Sequence, residues 1–517
     1  MHDLLIPARR ALCAFCLGAL FAAASAAAAD APAAPPAASP AGASPAAAPA
    51  APSAPSGPTL SKADKAEVEQ GQKMHAEIVQ SMGIYNNPEL QEYVGMVGRK
   101  VAQQSNRPNL PYTFTVVDDE EVNAFATMGG FVYITRGILP YLSSEAELAA
   151  VLGHEIGHIT AKHMARQKTQ STVSDIASIA TAILTRQPAL AGLTNVAGEA
   201  MIRGYGRDME LEADRLGAEY LARTGYDPQA MIRVIGTLKD QERFEVVSAR
   251  QEGREPHIYH GLFATHPDND TRLKEAVQSA KGFAGHAAGS TENTMDFLRR
   301  LDGVAWGTSA EQGVVRGSRM YHAGMGFTVA FPSGWNVENG PSQIVAQSKA
   351  KDSVLMVETA PIPPKLPEPR GFAVQGLLGG HAPREGQDLE INGLPAYTAV
   401  VSGAHTPFGT KPARLVVVKY ANQYFVFIGA SRSAGTVPDG DRLFLSSAET
   451  FRRLRGDELE RAEPDRIRII EAADGMTMNS LAAGSPLKRY PVEQLRLFNR
   501  LYPKGEPTPG QLLKVVR

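Results

Sequence analysis

The chain has 517 residues, with 52 Lys plus Arg against 54 Asp plus Glu and a formal net charge of −2. At about 150 residues per domain this length calls for several domains, and the balanced charge argues against a broad phosphate-binding surface and a nucleic-acid partner. The two cysteines, Cys13 and Cys16, both precede Leu17, so the remainder holds neither a disulfide framework nor cysteine-ligated zinc.

Arg9 and Arg10 introduce an uncharged run, Ala11 to Ala29, that carries Leu12, Phe15, Leu17, Leu20 and Phe21 and ends in Ala27-Ala28-Ala29. This pattern predicts a cleaved export signal over 1–29 and a periplasmic location. An uncleaved anchor fits less well, because the large apolar residues stop at Phe21. Residues 30–59 are almost entirely Ala, Pro, Ser and Gly, the composition of an unfolded linker.

Helical periodicity runs from Ser61, with Asp64 three residues on, and Asn87-Pro88 opens a second helix. Tyr112 to Val117 and Phe131 to Thr135 read as strands, the latter after a Gly129-Gly130 turn. Ser144, with Glu147 as its capping partner, starts a helix expected to reach Gln167. Ser171 to Thr185 reads as an amphipathic helix. Further helices are expected over 206–224 and from Pro228, behind Asp227. After His286 the pattern turns to strands, at 325–331, 343–347, 353–359, 389–402, 412–420 and 423–430, with a helix over 441–454. A strand from Arg466 to Ile470, two short helices and a strand from Leu512 to Val516 end the chain. The overall class is α+β. The expected partition is 60–285, α-dominated with a small sheet; 286–460, an α+β domain; and a small unit over 465–517.

The chemistry concentrates in His154-Glu155-Ile156-Gly157-His158. Four helical residues advance about 400°, so the two imidazoles stand one turn apart on one face and can reach one tetrahedral ion at ~2.1 Å. Leu148, Leu152, Ile156 and Ile159 form the opposite, apolar stripe. Gly153 and Gly157 each weaken a helix by ~1 kcal/mol, which makes sense if something approaches the helix closely there. A third ligand is needed. His163, five residues past His158, sits about 180° from His154 on the helix, which makes it a surface or packing residue. Glu210 and Asp214 share a helix face, whereas Glu212 lies about 200° from Glu210. One of that pair can bind metal while the other holds a ligating imidazole by its free N–H.

His154-Glu155-x-x-His158 followed by Glu210-x-x-Ala213-Asp214 resembles the HtpX- and BepA-type zinc metallopeptidases, gluzincins related to the CAAX prenyl protease. The resemblance covers about 60–280. It includes Asn123-Ala124-Phe125, the Gly129-Gly130 pair, Thr265-His266-Pro267 and Arg272; Met128 stands where many relatives carry proline. It implies a gluzincin peptidase domain binding one zinc through His154, His158 and Glu210. Glu155 would be the general base, and Asp214, with Arg272, would orient a ligand. His266 would gate the metal or stabilise the oxyanion. An extended peptide would dock on an edge strand, expected at Phe131 to Thr135 with Phe131 and Tyr133, and Asn123 could hold its main chain. The implied function is a periplasmic metalloendopeptidase acting on cell-envelope proteins in quality control or outer-membrane protein maintenance, with outer-membrane assembly machinery as a partner. The alternative is a chaperone-like assembly factor whose metal site is latched. Downstream, Gly326 to Trp335 resembles the opening of PsbP-like domains, with Trp335 packed in a core. The segment around Gly475-Met476-Thr477 is similar to LysM modules, which implies peptidoglycan as a further partner.

Overall fold

The computed structural model describes residues 60–170, 205–256, 266, 269–280, 291–340, 343–380, 383–432 and 437–517. The expected export signal, the expected linker and the helix expected at Ser171 to Thr185 lie outside these residues. The mixture of helices and small sheets is α+β.

Helix α1 (Lys62–Met82) begins where Ser61 Oγ accepts the Asp64 N–H at 3.1 Å. Helix α2 (Pro88–Ala102) begins where the Asn87 side chain takes the Leu90 N–H at 3.1 Å, with Pro88 in the first turn. Strands β1 (Thr113–Val117), β2 (Ala124–Thr127) and β3 (Phe131–Thr135) form a sheet ordered β1-β3-β2, in which β3 runs parallel to β1 and antiparallel to β2. The turn before β3 needs its glycines. Gly129 has φ +82°, and a Cβ there would come within 2.7 Å of the Val68 backbone on α1.

Next come α3 (Glu145–Thr160), α4 (His163–Gln170), α5 (Arg207–Thr224), α6 (Gln229–Glu252), α7 (Asn269–Ala280) and α8 (Thr294–Leu301), leading to the short strand β4 (Ala305–Trp306). At the chain's end, β16 (Asp465–Glu471) pairs with both β4 and β17 (Leu512–Val516). One apolar cluster runs through Val97, Leu148, Leu152, Leu216, Ile235, Phe297, Ile467, Phe498 and Val515. The terminal segment is therefore built into the core of the helical body. Phe498 meets Tyr141 and Trp306 edge-on at 5.1 and 4.9 Å, and the buried Lys514 amine donates to the Leu142 carbonyl at 2.5 Å. The boundaries expected near 285 and 465 do not follow this packing, because α8 and β4 join the same core.

A second body lies between. Strands β5 (Val314–Arg316), β6 (Arg319–His322), β7 (Phe327–Ala330) and β15 (Arg452–Arg453) form a sheet ordered β15-β7-β6-β5. Strands β8 (Asn336–Asn339), β9 (Gln343–Gln347), β10 (Ser353–Pro361), β11 (Arg384–Ile391), β12 (Leu394–Thr406), β13 (Gly409–Tyr420) and β14 (Gln423–Ser431) form a seven-stranded sheet, β11-β12-β13-β14-β10-β9-β8. Helix α9 (Val437–Glu449) packs Phe444 and Ala448 into the core both sheets share, and Trp335 packs against that core. The run expected over 389–402 is two strands, because Asn392 (φ +51°) and Gly393 (φ +80°) turn it into a hairpin. Buried Arg136 ties the helical body to the connection, bonding Asp118 and the carbonyls of Ala305 and Gly307. Among the described residues no helix is long and apolar enough to cross a membrane.

Candidate metal centre

Helix α3 starts where Ser144 Oγ accepts the Glu147 N–H at 3.3 Å, while the Glu147 carboxylate takes the Ser143 N–H at 2.9 Å. Its sequence pattern left one face open, yet every residue from Glu145 to Ile159 is buried. Helix α5 covers the polar face at backbone distance. A Cβ on Gly157 would lie 2.9 Å from the Ala213 carbonyl oxygen, and one on Gly217 would lie 3.0 Å from the His154 nitrogen. Gly157 on α3 and Gly217 on α5 thus admit the close crossing of the helix that carries the acidic residues.

That crossing sets Glu210 against both imidazoles. His154 Nε2 and His158 Nε2 are 2.9 Å apart, and each lies 3.4 Å from a Glu210 oxygen. His266 Nδ1 lies 3.1 Å from His154 Nε2 and 3.1 Å from Glu210 Oε2. Donors about 2.1 Å from one tetrahedral centre stand about 3.4 Å apart, close to these spacings. The chemistry of the set agrees. Asp214 Oδ1 lies 2.8 Å from His154 Nδ1, so the ring's proton belongs on that side and Nε2 presents a bare lone pair. Two such nitrogens and a carboxylate, all buried, repel one another unless a cation lies among them. The residues present fit a divalent metal.

Asp214 is itself held by Arg272 through two 2.7 Å hydrogen bonds, and Arg272 Nη1 reaches Glu210 at 3.2 Å. Burial works to raise both carboxyls. For Glu210, the neighbouring His266 and Arg272 outweigh it and hold the group well below the usual range. For Asp214, Arg272 does the same, and the group sits at about 2. Glu155, at 1% exposure, is pushed up by burial. Its Oε1 lies 3.3 Å from His266 Nε2, while Oε2 is buried with no hydrogen-bond partner among the described residues.

His154, Glu155, His158, Glu210, Asp214, His266 and Arg272 thus come together; Thr265 and Pro267 lie outside the described residues. Phe131 and Tyr133 do not sit on an open edge. Strand β3 is the middle strand, paired on both sides, and these rings are buried, Phe131 stacked on His75 and Tyr133 bonded to it at 3.0 Å. The edge strands are β1 and β2, and β2, which the sequence pattern did not reveal, is the one beside His266. The Thr135 N–H donates to the Asn123 carbonyl, so strand alternation turns the peptide groups of Ala124 and Ala126 away from β3. The Ala124 carbonyl lies 3.3 Å from His266 Nε2. Half-buried Asn123 leads into this edge, and its own N–H donates to Thr135 Oγ1.

Two contacts of His158 were not anticipated. The Tyr205 ring stacks on it with centroids 4.0 Å apart. His163 is fully buried, with its Nδ1 2.7 Å from His158 Nδ1. Setting His163 aside rested on one continuous helix, but Lys162 has φ +55° and the helix restarts at His163. Glu212, also set aside, lies 3.2 Å from His163 Nε2.

Residues 88–280 match the model of peptidase family M48. The beta-barrel assembly-enhancing protease of Yersinia pestis is 32% identical over 227 residues, 42% of this chain and 44% of that protein. The mitochondrial metalloendopeptidase OMA1 of Arabidopsis thaliana is 33% identical over 129 residues, 25% of this chain and 26% of its own length. The chain spans less than half the length of these curated relatives. Among solved structures, the cyanobacterial PsbP of Synechocystis sp. PCC 6803 aligns at 16% identity over 27% of this chain and 95% of its own, with a TM-score of 0.21.

Proposed function

We propose, from the match of residues 88–280 to the model of peptidase family M48, a zinc-dependent metalloendopeptidase that hydrolyses peptide bonds of cell-envelope proteins. The observation that carries the reading is the buried group of His154, His158 and Glu210 with Glu155 alongside. His154, His158 and Glu210 would hold one zinc ion, which when bound serves as a Lewis acid toward water and the scissile carbonyl. Asp214, fixed by Arg272, keeps the His154 ring turned so that Nε2 faces the ion. Glu155 takes a proton from the attacking water on its unpartnered oxygen and delivers it to the departing amine. Its upward shift suits both halves of that transfer. An extended substrate pairs with the outward peptide groups of Ala124 and Ala126, a mode that reads backbone more than sequence.

His266 acts as the gate. Its Nδ1 completes the donor set while its Nε2 meets the edge carbonyl of Ala124, so one ring covers both the metal's open position and the peptide's docking edge. The same observation favours the second reading, a chaperone-like assembly factor whose site stays latched.

The export-signal pattern of residues 1–29 supports a periplasmic location. The setting we propose is outer-membrane protein maintenance or quality control, with its assembly machinery as partner, in keeping with the name of one relative, a beta-barrel assembly-enhancing protease. Within the accessory domain expected over 286–460, the two-sheet body from Val314 to Arg453 is read as the accessory part, and the LysM-like terminal segment, with peptidoglycan as its ligand, as a lesser role. Digestion of casein and of an unfolded outer-membrane protein, with and without a chelator, tests the function. Chelator-sensitive cleavage supports the peptidase, and binding without cleavage under all conditions supports the latched factor.

A further inference from the structure

We infer that His163, backed by Glu212, is the positioning residue for His158, so that each metal-binding imidazole has its own anionic support on α5. The inference rests on the metal reading above.

Nitrogen chemistry leaves one arrangement. A neutral imidazole carries one N–H, and a ring that binds metal through Nε2 must carry it on Nδ1. His158 Nδ1 faces His163 Nδ1 at 2.7 Å, so His158 donates and His163 accepts. The single N–H of His163 then lies on Nε2, 3.2 Å from Glu212 Oε2, and donates to that carboxylate. Arg166 pins the carboxylate at 2.7 Å. The chain of donors runs one way, from His158 through His163 to Glu212, and polarises the His158 Nε2 lone pair toward the metal position. His154 has the shorter version, Asp214 directly at Nδ1. Helix α5 therefore supplies Glu210 as a ligand, Asp214 behind one imidazole and Glu212 behind the other. The two-residue steps that rotate Glu212 off the Glu210 face aim it at His163, which the left-handed Lys162 has swung back over His158. A carboxylate one imidazole removed from the ligand also explains the burial of His163 beside a residue that is about one-third exposed.

The test is zinc affinity of the full chain by chelator competition, with thermal midpoints of the metal-free and zinc-loaded forms. His163→Leu is expected to weaken zinc binding about 10- to 100-fold. His163→Asn, whose amide oxygen can stand where Nδ1 accepts, is expected to recover most of that loss. Glu212→Ala should weaken binding in the same direction while leaving the metal-free midpoint near wild type, since the residue is partly exposed. His158→Ala is the control. If it loses zinc while His163→Asn, His163→Leu and Glu212→Ala all bind as wild type, the positioning role is overturned and the metal site stands. If it binds zinc as wild type does, the metal reading itself fails.

Discussion

Gly157 and Ala213 meet backbone to backbone, with the Ala213 carbonyl oxygen 2.9 Å from where a Gly157 Cβ would stand. A methyl group there must push α5 away from α3, and Glu210 and Asp214 ride on α5. Gly157→Ala is expected to destabilise the protein by roughly 1–3 kcal/mol, the usual range for overpacking, and to weaken zinc binding. Calorimetry and metal analysis on one preparation check both effects. Normal zinc affinity in this variant would show that the close crossing does not set the ligand geometry.

Glu155 touches the donor group through His266 and leaves one oxygen unpartnered among the described residues. Glu155→Gln keeps the volume but removes the basic oxygen, so peptide cleavage should fall by at least about 100-fold, the lower end of what general bases contribute. Zinc content should stay at the wild-type level. A variant that still cleaves at the wild-type rate removes the general-base assignment.

His266 sets Nδ1 3.1 Å from His154 Nε2 and Nε2 3.3 Å from the Ala124 carbonyl oxygen. His266→Ala is expected to raise the cleavage rate of an unfolded substrate without stripping the metal, as steady-state kinetics beside metal analysis would show. A fall in kcat with unchanged metal would instead assign the ring to oxyanion stabilisation.

Lys514 plugs the C-terminal strand against the start of the α3 segment, and burial lowers its amine to about 7 from an ordinary 10.5. Between those values the unfolded chain binds more protons than the folded one. Stability linked to this group therefore rises with pH from about 7 to about 10.5 and is lost as pH falls back through that window. The full effect is on the order of a few kcal/mol. Thermal midpoints measured from pH 7 to 10 should climb more steeply in wild type than in Lys514→Met. Parallel curves would mean that the amine is charged where it lies.

The local half of the site was legible in the chain. A capped helix with His154 and His158 one turn apart needs only helical geometry, and the glycines foretold a close neighbour. That the neighbour is α5 follows from tertiary packing, and only family resemblance linked Glu210 and Asp214 to the histidines across 50-odd intervening residues. His163 was misplaced because no glycine or proline marks the break at Lys162, so a rotation argument assumed an unbroken helix. Strand β2 is four residues long and carries too short an alternation to read, which is why β3 looked like the edge. The terminal segment reads as a unit by its turns and caps, but nothing in its pattern announces that Phe498 and Lys514 enter another segment's core.

Zinc stoichiometry in wild type and Glu210→Ala, measured by mass spectrometry after dialysis at neutral pH, tests the central claim most directly. Three ligands from two helices predict about one zinc per wild-type chain and essentially none in the variant, because the imidazoles that remain, the gating His266 included, lack the buried carboxylate that balances the ion's charge. Equal, near-stoichiometric zinc in both proteins would contradict the account.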